Sequence, residues 1–269
     1  MKISKEQLSK LNNFVGSGDF INANIIFFGN EEGLGSLELK EAIKRRCNLH
    51  DKEDTPRLSN NIFYRKNWEI EEKAVNSSML QFQSRILLFL NNQNGNWFLK
   101  KDEEPILFQQ IKEYQRAQLY RESISYKFKS ALIDLRPLPR FTEKEWPYAN
   151  INRSEYLKAF QFKRENGIAE DLLKLKNQRA QNIKTVFDSS KKAKVIVGIG
   201  DKHSKRNLFE QLYNAYFTNI IEGKCFQSQI KHNGKALNII LSNFFDYRSL
   251  GLENLKELSQ IIRKCIEGD

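Results

Sequence analysis

Two adjacent acids, Glu31 and Glu32, lie in a short segment that glycines punctuate, Gly29-Asn30-Glu31-Glu32-Gly33. A carboxylate in such a place can orient a water molecule and stabilise positive charge as it develops. Two neighbouring carboxylates also raise one another's proton affinity, so we expect one of the pair to be partly protonated near neutrality. The alternative is that both acids face solvent or begin a helix, where acids are ordinary in the first turn.

The residues around these acids predict where the segment lies. Residues 25–28 are a continuous apolar run, Ile-Ile-Phe-Phe, which is typical of a strand buried on both faces of a parallel sheet. Ser36 is the expected N-cap of the helix that follows. That helix has its apolar positions on one side, at Leu39, Ala42, Ile43 and Cys47. The acids therefore follow a strand, at the edge where open α/β sheets bind ligands.

Further along the chain, apolar runs that predict strands alternate with segments of helical periodicity. Strands are predicted at 130–135 and 195–200, and Asn233-Gly234 indicates a hairpin of 225–230 with 236–241. Helices are predicted at 74–91, 105–121, 154–187 with a break at Gly167, 204–217 and 252–266. This alternation predicts an α/β fold. We expect one domain over residues 1–269, with a polar insertion, a loop or lid, at about 48–70.

A further carboxylate and two arginines lie at the end of the predicted strand 130–135. Asp134 is near its last position, and Arg136 and Arg140 flank two prolines that forbid regular structure. Arginines in that setting favour phosphate or carboxylate. The structural alternative is an ion pair of Asp134 with Arg136 or Arg140. Other basic residues are expected on a solvated helix face, including Lys44, Arg45 and Arg46.

The charge balance favours a polyanionic partner. The chain has 44 Lys and Arg against 33 Asp and Glu, a formal charge of +11, and a pI near 9.4, which suits nucleic acid; a merely solvated surface is the alternative. Three scattered cysteines argue against a disulfide framework or a zinc site, and His50 and His232 lack partners at metal-ligand spacing. With no signal peptide and no apolar run of membrane length, we expect a cytoplasmic protein without metal or cofactor.

The order of these motifs resembles that of the uracil-DNA glycosylase superfamily over most of the chain. The shared features are a strand that ends in the Gly29–Gly33 segment, a second strand that ends in a polar residue before a proline-containing turn, and a last strand that opens into a short loop before the final helix. The resemblance implies a three-layer α/β/α fold with a central four-stranded, mainly parallel sheet. It also implies a monofunctional enzyme that flips a nucleotide out of duplex DNA and hydrolyses the bond between base and sugar.

By this resemblance, Glu31 takes the position of the family's catalytic Asp or Asn, with Glu32 beside it, and Asn30 lines the base pocket. A carboxylate there would stabilise positive charge on the sugar and orient the attacking water. Asp134 departs from the family, which typically has Asn at that place. Because a carboxylate offers only acceptors, it suits a base with an exocyclic amine and repels a carbonyl, which indicates a cytosine-type base rather than uracil.

An enzyme that excised ordinary cytosine would destroy its host's DNA, so we expect a modified cytosine as the target. The insertion at about 48–70 could then make room for the modification. Some members of the superfamily remove hypermodified bases, such as glucosylated hydroxymethylcytosine, from phage DNA in antiviral defence. The chain is similar to that branch in the chemistry that Asp134 implies.

The final loop departs from the family as well. Where the family commonly has a His that donates to the leaving base, this chain has Asn243, which can donate but cannot be a proton source; His203 is the alternative donor. Tyr247 and Arg248 suit the wedge that fills the gap left by a flipped nucleotide. Tyr148 is expected to stack on the base or, alternatively, to anchor the loop after the second strand. Further DNA contacts are expected from Arg136, Arg140, Lys202, His203 and Ser204.

Other functions fit part of the pattern. A glycosylase that repairs uracil or damaged bases would share the site, without the selectivity that Asp134 implies. A nucleoside-processing hydrolase or transferase would use the carboxylate loop on a free small molecule, but it would need neither the +11 charge nor a wedge loop. A non-catalytic DNA-binding protein would keep the charge and leave Glu31 unimportant. In every DNA-linked case we expect a monomer.

Overall fold

The computed structural model describes residues 1–34, 37–67, 76–91, 95–121, 126–142, 144–163 and 167–268. The strands are β1 Phe14–Ser17, β2 Ile25–Gly29, β3 Phe63–Arg65, β4 Ser130–Asp134, β5 Val195–Ile199, β6 Thr218–Ile221, β7 Cys225–His232 and β8 Lys235–Ser242. The helices are α1 Lys5–Asn13, α2 Leu39–His50, α3 Ser78–Leu90, α4 Pro105–Ala117, α5 Arg153–Ala159, α6 Glu170–Ser189, α7 Lys202–Tyr213 and α8 Leu252–Glu267.

These strands join in one mixed sheet, in the order β3-β1-β4-β2-β5-β8-β7-β6. Its centre consists of four mutually parallel strands, β4-β2-β5-β8. On either side, β1 and β7 run antiparallel to β4 and β8. The α/β class is therefore confirmed, and the sheet is larger than the predicted four strands.

Strand β2 is apolar throughout because helices cover both faces of the sheet. Ile26 and Phe28 pack into a core that includes residues of α6 and α7. Ile25 and Phe27 point the other way, into a core that includes residues of α3 and α8. All four side chains are fully buried, and burial of an Ile or Phe contributes about 1.5–3 kcal/mol. The polar segment after β2 is thus fixed to a fully buried strand.

Most of the predicted elements are confirmed, with ends that differ by a few residues. The hairpin of β7 and β8 turns at Asn233 and Gly234, which have φ values of 49° and 77°, as that dipeptide favours. The insertion at 48–70 is not simply a loop, because α2 continues to His50 and β3 pairs with β1. Residues 68–70 of it lie outside the described residues.

The elements that the sequence pattern did not predict are short or border the sheet. They are α1, β1, β3 and β6. In β1, Gly16 approaches β4 so closely that a Cβ atom would lie 2.0 Å from the Leu132 carbonyl oxygen. Only glycine fits there, and a glycine within a short run weakens the strand signal.

Two expectations about helix starts have different outcomes. Ser36 lies outside the described residues, and the N-cap residue of α2 is Glu38. The helix expected to begin at Ser204 begins at Lys202, with the Asp201 side chain accepting from the Ser204 N–H, so the expected cap at Ser204 is wrong. No helix among the described residues is both long enough and apolar enough to span a membrane.

Candidate active site

The segments that follow β2 and β4 run side by side at the carboxyl edge of the sheet. Gly29 is paired in register with Asp134. The backbone N–H of Arg136 donates to the Asn30 carbonyl oxygen at 2.7 Å. Parallel strand pairing therefore brings the two predicted polar segments together although they are far apart in the chain.

The Glu31 carboxylate is buried between two arginines. Arg136 Nη1 donates to Glu31 Oε2 at 3.0 Å, and Arg140 Nη2 donates to Glu31 Oε1. The Glu31 side chain is 8% exposed. Arg136 also pairs through Nη2 with Asp201, which follows β5. Three strand ends are thereby tied together, and Glu31 is held as an acceptor in one orientation. The two arginines, expected to contact DNA, are instead buried and engaged by carboxylates.

Glu32 has an arginine of its own. Arg46 Nη2 lies 2.7 Å from Glu32 Oε2. Burial alone would raise the pKa of Glu32, but Arg46 and Arg65 outweigh it and hold that pKa below its usual range. The expectation that one acid of the pair is partly protonated near neutrality is therefore not supported at Glu32.

Arg46 does not lie on a solvated helix face. It is buried because it falls three and four positions after Ile43 and Ala42, on the side of α2 that packs into the core. Its neighbours Lys44 and Arg45 are exposed, as expected. The expectation for Arg46 was wrong because an acid from another element, Glu32, meets it inside the protein.

Among the described residues, no arginine side chain binds the carboxyl group of Asp134. Asp134 is 8% exposed, and no described residue donates a hydrogen bond to its side chain. The proposed pairing of Asp134 with Arg136 or Arg140 is therefore wrong, because both arginines bind Glu31. Burial and the Glu32 charge raise the pKa of Asp134 to about 7, against the opposing effect of Arg179.

Two features hold Asp134 in place. A Cβ atom on Gly29 would lie 2.6 Å from Asp134 Oδ1, so the carboxyl group occupies space that only a glycine leaves. Arg179 of α6 is buried and donates to the Asp134 carbonyl oxygen and, through Nη1, to the Phe14 carbonyl oxygen at 2.7 Å. Burial lowers the pKa of Arg179 to about 10 although Asp134 opposes this. The end of β4 is thus fixed by a buried arginine of α6.

Asn30 is oriented by a buried lysine. Lys205 of α7 donates through Nζ to Asn30 Oδ1, to the Ile199 carbonyl oxygen at 3.1 Å and to the Gly200 carbonyl oxygen at 2.8 Å. An ammonium group only donates, so the amide oxygen of Asn30 faces Lys205. Burial lowers the pKa of Lys205 to about 7, against the opposing effect of Asp201. Lys205 thereby joins the segment after β2 to the end of β5.

The loop after β8 presents polar and aromatic groups beside these strand ends. The Asn243 side chain donates to the Ser249 carbonyl oxygen at 2.9 Å, so it closes the loop on itself. Phe244 and Tyr247 are 41% and 45% exposed, and Arg248 is also exposed. Phe244 reaches the site, because a Cβ atom on Gly200 would lie 3.2 Å from its ring. Asn243 therefore has a structural contact. Arg248 is exposed, and Tyr247 is half-exposed although its ring packs against Phe82.

The remaining predicted residues have mixed surroundings. Tyr148 is buried and its hydroxyl donates to the Pro139 carbonyl oxygen at 2.6 Å, which supports the alternative that it anchors the loop. Lys202 donates to the Gly223 carbonyl oxygen at 2.9 Å and is partly exposed. His203 is exposed, but Ser204 is buried.

Three basic residues of the site carry only a weak signal in a single sequence. Arg46, Lys205 and Arg179 are basic residues on helices, a type that is usually solvated, yet here each is buried. The available clue was position, since Arg46 lies within an apolar stripe and Lys205 is adjacent to Ser204 near the start of α7. Their partners, however, come from other elements, which no local pattern reveals.

Among the described residues, no group of three or more His, Cys, Asp and Glu side chains could hold a metal ion. Comparison of the chain with protein-family models, with curated proteins and with solved structures found no match. The function proposed below therefore depends on the contacts within the chain.

Proposed function

We propose that the protein is a monofunctional DNA glycosylase of the cytoplasm that flips out and excises a modified cytosine, such as glucosylated hydroxymethylcytosine in phage DNA. The observation that carries the proposal is that Glu31 follows β2 and Asp134 ends the adjacent parallel strand β4, with the Glu31 carboxylate engaged by two arginines and no described arginine side chain bound to the Asp134 carboxyl group. Two carboxyl groups in different environments can take different roles. The resemblance to the uracil-DNA glycosylase superfamily assigns those two positions to cleavage and to base reading.

In the proposed reaction, water adds to C1′ of the sugar while the bond from C1′ to the base breaks. The bonding electron pair leaves with the base, which takes up the proton that the water releases. Glu31 has four acceptor sites and uses two of them for Arg136 and Arg140. Those arginines already offset the charge of Glu31. Its main contribution is therefore to hold the attacking water in line, and its attraction for the positively charged sugar is the smaller contribution.

Asp134 is the proposed base-reading group. With its carboxyl group ionised, it accepts from the exocyclic amine of a cytosine-type base and repels a carbonyl. Its pKa of about 7 leaves a large ionised fraction at neutral pH. Binding of an amine next to the carboxylate would favour ionisation further, because hydrogen bonds to the charged form lower a carboxyl pKa.

The surface beside the site suits DNA. Tyr247 and Arg248 lie at the tip of the loop after β8 and are exposed, as a wedge that enters the base stack must be. Lys202 and Arg206 both lie over the Phe226 ring, 4.9 and 4.8 Å from its centre. They add positive charge near the start of α7, which lies at the site. The chain as a whole carries a formal charge of +11.

One observation favours a second candidate, a glycosylase that excises uracil. A protonated Asp134 would donate to the uracil carbonyl, and a pKa of about 7 leaves about half of the groups protonated at that pH. The two candidates differ in which protonation state is active. They can therefore be separated by substrate and by pH.

The experiment uses duplexes that carry one glucosylated hydroxymethylcytosine, one cytosine or one uracil. Abasic sites are detected by strand cleavage in hot alkali. We expect the wild type to act on the modified cytosine, and Glu31→Gln to lose this activity while it retains DNA binding by fluorescence anisotropy. Glu41→Gln is the matched control, since Glu41 is an exposed partner of Arg45 on α2.

Each outcome separates the candidates. Release of uracil alone would contradict the assignment of Asp134 as the reader of a cytosine-type base. Unchanged activity of Glu31→Gln would contradict the catalytic role of Glu31. Activity only on free nucleosides would favour the small-molecule hydrolase or transferase. Melting curves of both variants show whether a loss of activity reflects unfolding.

A further inference from the structure

A buried polar cluster lies on the α3 side of the sheet, behind Asp134. Asp134 faces this side because it lies two positions after Leu132 on β4, on the same face of the sheet, and Leu132 packs in the same core as α3. Gln83 of α3 has no exposed surface, and Tyr120 is 1% exposed. The Tyr120 hydroxyl donates to Gln83 Oε1. Burial, and then the charge of Asp134, raise the pKa of Tyr120 well above its ordinary value, so the three residues are electrostatically linked.

One donor of this cluster makes no hydrogen bond. Gln83 Nε2 is fully buried and has no partner in the described part of the chain. Because the Tyr120 hydroxyl occupies the oxygen of the same amide, the NH2 end points away from Tyr120. Nearly all buried polar groups in folded proteins are paired, and an unpaired donor lowers stability. A partner from outside the chain is the expected resolution.

Tyr120 has a backbone conformation that bulky residues rarely adopt. Its φ is 58°, in the left-handed region, where a Cβ atom crowds the backbone. The residue is nevertheless buried and its hydroxyl is engaged by Gln83. Strained buried residues of this kind concentrate at functional sites. Here the consequence is local, since Tyr120 fixes which end of the Gln83 amide remains to donate.

Helix α3, which carries Gln83, packs against the loop that is proposed to enter DNA. The preceding residue, Phe82, packs edge-on against Tyr247, with ring centres 5.3 Å apart. Its ring centre is also 6.1 Å from that of Phe245. Helix α3 thus connects the loop after β8 with the end of β4, and a base inserted beside Asp134 would lie next to this helix.

Resting on the glycosylase function proposed above, we infer that Gln83 is a second specificity-determining residue, whose side-chain NH2 donates to ring N3 of the flipped base. A cytosine-type base presents an exocyclic amine next to N3, which is an acceptor. Asp134 accepts from the amine and Gln83 donates to N3, so the two residues read adjacent positions of one edge. Uracil presents a carbonyl and an N–H at these positions, and therefore fits neither the ionised Asp134 carboxylate nor the Gln83 NH2 group.

The test compares single-turnover excision by the full-length wild type, Gln83→Leu and Gln81→Leu. The duplexes carry glucosylated hydroxymethylcytosine or uracil. Gln81 is the matched control, because it is a buried glutamine of α3 that lies about 200° around the helix axis from Gln83. We expect Gln83→Leu to slow excision of the modified cytosine about tenfold to 100-fold and to reduce its preference over uracil. Gln81→Leu should stay within about threefold of the wild type.

The failure of this inference is distinguishable from failure of the proposed function. If the wild type excises the modified cytosine and Gln83→Leu keeps its rate and preference, the role of Gln83 is overturned and the glycosylase function stands. If the wild type excises no base, the proposed function fails. Calorimetric titration with free cytosine and uracil then still tests the amide, and equal affinities of wild type and Gln83→Leu overturn its role.

A folding defect is handled by a second variant. Gln83→Leu combined with Tyr120→Phe removes both partners of the hydrogen bond, which leaves no orphaned hydroxyl. We expect this double variant to fold, as melting curves would show, and to have the same loss of preference for the modified cytosine. A folded double variant with wild-type preference would overturn the inference.

Discussion

Replacing Asp134 by Asn should make the protein more stable at alkaline pH than at acidic pH, relative to the wild type. The pKa of Asp134 is about 7 in the fold, against 3.8 ordinarily. A difference of about three pKa units corresponds to about 4 kcal/mol, at about 1.4 kcal/mol for each unit. The ionised carboxyl group is therefore a substantial burden on the native state. Asn has nearly the same shape and no charge to bury.

The sign follows from which state loses its proton first. Below about pH 3 the carboxyl group is mostly protonated in both states, so it carries almost no penalty. As the pH rises to about 7, the unfolded chain releases the proton while the fold retains it, and the wild type loses stability. Above about pH 7 the full penalty of about 4 kcal/mol remains. Between about pH 5 and pH 8, wild type should lose about 2–3 kcal/mol relative to Asp134→Asn.

Urea unfolding of both proteins at about pH 5 and pH 8 measures this difference. Asp102→Asn is the control, because Asp102 is exposed between α3 and α4; its difference from the wild type should stay within about 0.5 kcal/mol at both pH values. A stability difference between wild type and Asp134→Asn that is the same at both pH values would refute the reasoning. It would mean that the carboxyl group is not desolvated in the fold.

Three further predictions concern the rest of the site. Arg136→Met deprives two carboxylates, Glu31 and Asp201, of a cation, so urea titration should show a loss of about 3–5 kcal/mol. Gly29→Ala puts a methyl group 2.6 Å from Asp134 Oδ1; displacement of the carboxyl group should abolish base discrimination in excision assays and reduce stability by about 1–3 kcal/mol. Because only protonated Asp134 can donate, the rate ratio of cytosine-type to uracil excision should rise between about pH 6 and pH 8.

Matched variants control two of these predictions. Arg45→Met removes an exposed ion pair with Glu41 and should change the free energy of unfolding by less than about 1 kcal/mol. Gly33→Ala adds a methyl group with no atom of the described residues within 4 Å, so it should leave discrimination intact. Equal losses in each matched pair would contradict the assigned contacts. A rate ratio that does not change with pH would count against Asp134 as the base-reading group.

The backbone of the site could be predicted because its signals are local. The apolar run of β2 predicted a strand buried on both faces, and glycine spacing predicted the polar segment that follows it. The end of β4 was predicted in the same way, and the resemblance assigned Glu31 and Asp134 to one site; strand pairing brings the ends of β2 and β4 together. Strands β1 and β3 were missed because neither is long enough to show a clear period.

The electrostatics of the site could not be predicted because its partners come from different elements. Glu31 was expected to share protons with Glu32, yet it is bound by arginines that follow β4, and Glu32 is bound by α2. The ion pairs with residues of other elements therefore determine the surroundings of these two acids, and their adjacency in the chain does not. The raised pKa occurs at Asp134 instead, where burial without a cation on the side chain decides the outcome.

The most direct test of the proposed function is to measure what is released from phage DNA rich in glucosylated hydroxymethylcytosine. Mass spectrometry of the soluble fraction identifies the free base, and a labelled aldehyde-reactive probe counts abasic sites in the same DNA. We predict that the wild type releases the intact modified base with one abasic site for each base, and that Glu31→Gln releases none. Release of a nucleoside, of uracil alone or of equal amounts of base by Glu31→Gln would contradict the proposal.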